Sequence, residues 1–135
     1  MRKLALGAVA LAVAASGAVW ILPVSGAQAP TVVRKVLNQQ DTTPGQTMAL
    51  ISVEIPVGGR EGKHTHPGAL MVYVTDGALT LEYEGKPNVT YKPGEVFYVE
   101  PGKVHQGINM GTVPIKALAT YAGPKGPLTN QIETP

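Results

Sequence analysis

Turn-forming residues recur along this chain every 8 to 12 residues or so, a spacing that leaves room for short strands and for little else. Pro44-Gly45, Gly58-Gly59, Pro67-Gly68, Asp76-Gly77, Glu84-Gly85, Pro93-Gly94, Pro101-Gly102 and Gly111 supply the punctuation. Between them lie β-like runs at Thr31 to Leu37, Met48 to Val57, Leu70 to Thr75, Ala78 to Glu84, Val89 to Tyr91, Val96 to Glu100, His105 to Asn109 and Val113 to Tyr121. No stretch after the first residues holds a period of 3.6, so helices are not expected. The expected class is all-β, closed as a sandwich or small barrel. Asp76-Gly77, flanked by two alternating runs, predicts a hairpin.

The N-terminus obeys a different logic. Arg2 and Lys3 precede an uncharged stretch from Leu4 to Leu22, and Pro23, Ser25 and Ala27 then form a small-residue ending. This is the layout of a secretory signal peptide, with cleavage expected after Ala27 because Pro30 disfavours the later cut. The alternative is a retained signal anchor, since the uncharged stretch is long enough to span a bilayer. The expected organisation is therefore signal peptide 1–27, N-terminal arm 28–45, barrel 46–122 and C-terminal tail 123–135. Pro124, Pro127 and Pro135 argue against a central strand in the tail. The expected location is secreted or periplasmic.

Removing the leader changes the charge balance. The chain carries 11 Lys+Arg against 9 Asp+Glu, and the leader takes Arg2 and Lys3 and no acid, leaving 9 against 9. No basic cluster remains as a nucleic-acid or anionic-lipid footprint. Without cysteine, the domain must hold through its core or through oligomerisation. After the leader, Ser52 is the sole serine and lies outside any Gly-x-Ser-x-Gly context, so serine or cysteine nucleophilic catalysis is excluded. Gly58 to Lys63 superficially suggests a phosphate loop, but it precedes His64 where Ser or Thr is required, and no βαβ unit surrounds it.

All 3 histidines fall into one pattern. His64 and His66, two apart on a strand, point to the same face, and His105 lies on a later β-like run. Three imidazoles from two strands make a facial nitrogen set that leaves coordination positions open, as a catalytic site requires. The bland alternative is three unconnected surface histidines. Imidazole suits Fe, Mn, Zn, Ni and Cu without selecting among them.

Gly58, His64-Thr65-His66-Pro67-Gly68 and Gly77 resemble the first motif of the cupin superfamily, and Gly94, Pro101-Gly102, His105 and Asn109 resemble the second. The resemblance spans residues 46–122. It implies a double-stranded β-helix, or jelly-roll barrel, with a divalent metal bound inside by His64, His66 and His105, often in a homodimer. It also implies a small-molecule ligand. Two positions depart from the family pattern. Leu70 stands where cupins commonly place a glutamate ligand, and Glu100 stands where a proline usually opens the second motif. Neutral ligands alone leave a divalent ion at full charge, which favours an anionic oxygen or sulfur ligand. Leu70, Tyr98 and Met110 are the expected apolar lining of the substrate pocket. Glu61 and Glu100 are candidate replacement carboxylates, more simply read as solvated charges beside glycine turns. Asn109 is expected to order the backbone near His105.

Cupins of this three-histidine kind include iron-dependent dioxygenases acting on diketones or thiols. The resemblance thus implies an exported metal-dependent oxygenase or another metal-assisted enzyme. A non-catalytic module holding a metal, sugar or small anion is the alternative, as is a barrel that binds no metal.

Overall fold

The computed structural model describes residues 30–135; the expected signal peptide and expected cleavage point fall outside the described residues. Ten strands form two five-stranded sheets, with no helix among the described residues. They are β1 (Val33–Asp41), β2 (Gln46–Ile55), β3 (His64–Thr65), β4 (Ala69–Asp76), β5 (Leu79–Tyr83), β6 (Lys86–Tyr91), β7 (Val96–Val99), β8 (His105–Ile108), β9 (Ile115–Pro124) and β10 (Asn130–Gln131). One sheet runs β1-β2-β9-β4-β7 and the other β10-β3-β8-β5-β6.

The two sheets face each other across a core that alternation sets along β2, β4 and β9 of the first sheet. Along β2 the odd positions Thr47, Ala49, Ile51 and Ile55 are buried while Met48 and Leu50 are exposed. Leu70, Val72 and Val74 of β4 and Ile115, Ala117, Ala119 and Tyr121 of β9 complete that inner face. Leu79, Leu81 and Tyr83 of β5 meet them from the other sheet. Each Val, Ile or Leu taken from water here contributes roughly 1.5–3 kcal/mol, which lets a domain without cysteine close on packing alone.

The hairpin expected at Asp76-Gly77 does not form. β4 pairs with β7 and β9, whereas β5 pairs with β6 and β8, so this turn carries the chain from one sheet to the other. Gly77 has φ of 72°, and a Cβ there would lie 2.7 Å from the Pro114 carbonyl oxygen. The sequence signal for a tight turn is genuine, but it cannot report which sheet each flank joins. Antiparallel hairpins do join β1 to β2 and β5 to β6, through the Pro44-Gly45 and Glu84-Gly85 turns. Strand structure also extends beyond 46–122. β1 occupies the expected arm, and β10 forms inside the expected tail at a sheet edge, where flanking prolines cost no ladder bond. Pro87 in β6 is tolerated for the same reason, since β6 is the opposite edge.

Candidate metal centre

His64 of β3 and His105 of β8 are direct cross-strand partners, so their side chains share one face. His66, two residues beyond His64, turns to the same side. All three are buried, and one ligand nitrogen from each lies within 4.8 Å of the others. Ring centroids stand 4.4 Å apart for His64 and His105, 4.9 Å for His64 and His66, and 5.1 Å for His66 and His105.

The hydrogen bonds behind the rings decide which nitrogens face inward. His64 Nδ1 lies 2.8 Å from the Gly62 carbonyl oxygen, His105 Nδ1 2.9 Å from that of Lys103, and His66 Nδ1 2.6 Å from that of Leu128. A carbonyl only accepts, so each Nδ1 must carry the proton and donate it. Each Nε2 is then left with a lone pair, which is the form a metal requires. Burial pulls the His66 pKa down to about 4, with the neighbouring rings adding to the effect, and burial likewise lowers that of His105. Three imidazoles held as Nδ1–H donors, with ligand nitrogens close together, fit a divalent ion by their donor chemistry.

The rings open onto a cavity of about 50 Å³ between the sheets. Ile51, Leu70, Val72, Leu81, Phe97 and Ala119 make most of its wall apolar, and Arg34, Glu61 and Thr129 are its other polar members. Leu70, expected in the pocket, lines it and is 5% exposed. Tyr98 and Met110 are not part of the lining. Tyr98 is 53% exposed on the outer face of β7, opposite Met71, because Phe97 and Val99 take the inward positions. Met110 is 76% exposed in the loop after β8.

Glu61 is the larger correction. It is 9% exposed, its Oε2 accepts the Gly107 N–H at 2.8 Å, and its Oε1 lies 3.2 Å from Arg34 Nη2. A Cβ at position 107 would sit 2.8 Å from Oε2, so this buried carboxylate needs a glycine beneath it. Glu100, by contrast, is partly exposed and accepts the Tyr83 hydroxyl at 2.7 Å, behind His105. That hydrogen bond holds the Glu100 carboxyl below its usual pKa. Asn109 performs its expected backbone role, donating to the Ile55 and Val113 carbonyls and accepting from Gly111.

Arg34 and the Leu128-Thr129 segment were not singled out by the sequence. Arg34 faces inward because it pairs with Val53, an inward position of β2. Leu128 and Thr129 reach the site because β10 pairs with β3, placing Thr129 Oγ1 3.3 Å from His66 Nδ1. The alternation of β1 was the one available signal, and it is blurred by a register shift between Val36 and Asn38.

No protein among the curated sequences matches the chain. Solved structures do. A cupin-like protein from Thermotoga maritima superposes with a TM-score of 0.63 at 23% identity, over 76% of this chain and 77% of that one. A DMSP lyase from Ruegeria pomeroyi gives 0.58 at 23% identity, over 62% of this chain and 42% of the lyase. A recombinant oxalate oxidase in complex with glycolate gives 0.60 at 18% identity, over 78% of this chain and 57% of the oxidase. The chain thus spans about half the length of either enzyme, and at these identities the likeness is one of fold. The sequence model of the cupin domain matches residues 51–121, a segment running from the middle of β2 through β9 and holding all three histidines. The chain belongs to the cupin family.

Proposed function

We propose that this protein is an exported cupin that binds a divalent metal ion through Nε2 of His64, His66 and His105 and presents it to a small molecule in the apolar cavity. One observation carries the reading: three backbone carbonyls hold all three Nδ1 protons, leaving three buried lone pairs turned toward one another. When bound, the ion supplies a Lewis-acid centre for an oxygen or sulfur ligand. The chain's own residues point each imidazole Nδ1 at a carbonyl, exclude bulk water with Leu70, Val72 and Phe97, and place one ion pair, Arg34–Glu61, in the wall. Metal-assisted turnover of a small molecule, such as an oxygenase reaction, is the enzymatic form of this function.

A non-catalytic holder is the second reading, and Glu61 favours it. It is the only carboxylate lining the cavity among the described residues, and both its oxygens are engaged, which leaves no ready general base. Metal analysis of protein purified from its own host, followed by oxygen uptake with diketones, thiols and phenols, separates the two. Metal without turnover selects the holder. No metal, together with no Zn²⁺ binding on titration, ends both readings.

A further inference from the structure

The cavity contains one cation among the described residues, and its placement is built. Arg34 stands on edge strand β1, 29% exposed at its side chain, so its guanidinium sits at the boundary between solvent and the cavity. Glu61 fixes it from one side only. Nη2 lies 3.2 Å from Glu61 Oε1 and 3.3 Å from the Glu61 carbonyl oxygen, and Glu61 is itself anchored by the Gly107 N–H. Among the described residues no protein acceptor takes the Nε or Nη1 hydrogens. A guanidinium has five N–H donors in a rigid fork, so one edge remains available after Glu61 has oriented the other.

We propose that Arg34 is the anion anchor of the cavity and selects a small carboxylate, with Glu61 acting as its positioning residue. The proposal rests on the reading of the three-histidine cavity given above and adds the substrate class. Size limits the choice. The cavity is small, about 50 Å³, and mostly apolar, so it favours a short-chain ligand over a bulky one. A short-chain carboxylate satisfies both demands: its anionic end pairs with the open edge of Arg34, and its apolar remainder lies against Leu70, Val72 and Phe97. A neutral molecule of the same shape offers the open edge of the guanidinium no charged partner.

Propionate and its neutral analogue propionamide are the probes, titrated by calorimetry into both metal-free and Zn²⁺-loaded protein. Propionate is expected to bind at least tenfold more tightly than propionamide. Arg34→Gln should lose at least tenfold in propionate affinity in both states, with circular dichroism confirming that the strands remain folded, and Arg34→Lys should fall between the two. Gly107→Ala, which displaces the Glu61 carboxylate, should weaken propionate with Arg34 still present. If Zn²⁺ fails to bind, the metal reading falls, yet the metal-free titrations still test Arg34. Equal affinity of Arg34→Gln and parent for propionate, or no propionate binding by the parent in either state, overturns the proposal.

Discussion

His66 Nδ1 donates to the Leu128 carbonyl at 2.6 Å, across 62 residues of chain, and so ties a first-motif histidine to the segment between β9 and β10. The tail is thereby part of the centre. Ile132 and Glu133 donate their N–H groups to the Lys63 carbonyl, and Gln131 Nε2 reaches the Glu61 carbonyl at 3.1 Å, so the same segment braces both ends of the His64 strand.

Removing residues 126–135 should therefore weaken the centre while leaving both sheets largely intact. His66 loses the acceptor that fixes its tautomer, and losses of such outer hydrogen bonds typically cost about 10–100-fold in metal affinity. Competition for Zn²⁺ against a chelator measures this, with circular dichroism reporting the strands. Unchanged affinity would show that His66 is held by packing alone.

Acid should destabilise the metal-free protein in a defined window. In the unfolded chain the imidazoles protonate near the ordinary value of 6.5, whereas folded His66 resists until about 4, and folded His105 is also lowered. Between those pH values the unfolded chain takes up the proton first. Stability is thus fully present above about 6.5 and is lost as pH falls toward 4, by about 3 kcal/mol for His66 alone. Urea unfolding across pH 4 to 7 checks the slope. Replacing His66 with Gln should flatten much of it.

Leu70→Glu places a carboxylate in the cavity wall. Without metal, the buried charge should destabilise by about 2–4 kcal/mol. With Zn²⁺ present, the carboxylate gains a cationic partner, so the rise in thermal midpoint on metal addition should exceed the parent's. Equal rises in both proteins would mean that position 70 does not reach the ion.

The outer face of the first sheet carries exposed Met48, Leu50, Met71, Tyr73 and Tyr98, and β1 buries none of its residues. Apolar area of this kind commonly marks an association surface, in keeping with the homodimer expected from the family resemblance. Tyr98→Glu should therefore shift the protein toward monomer in light scattering while its Zn²⁺ affinity is unchanged. A parent already monomeric at high concentration would overturn the homodimer that the family resemblance implies.

Much of this architecture was legible in the sequence, because glycine turns and strict alternation are local signals. The all-β class follows from the turn spacing, and the clustering of His64, His66 and His105 from the period of two and from motif spacing. What escaped depends on pairing between distant segments. Arg34 enters the cavity through its register with Val53, and Leu128 through the pairing of β10 with β3. Tyr98 was misplaced for a related reason: in Val96-Phe97-Tyr98-Val99 every residue is apolar or aromatic, so sequence alone gives no parity. Glu61 was read as solvated because a lone acid between glycines gives no hint of the Gly107 amide waiting across the sheet.

The acceptors behind all three imidazoles are main-chain atoms of Gly62, Lys103 and Leu128. No exchange of a side chain deletes a carbonyl, so at Lys103 and Leu128 this tautomer lock tolerates most point mutations; Gly62 is the exception, because its φ is 71° and a Cβ there would meet the Glu133 carbonyl oxygen. Sequence drift can therefore reshape the pocket wall, and with it the molecule admitted, while the donor triad passes unchanged from one variant to the next.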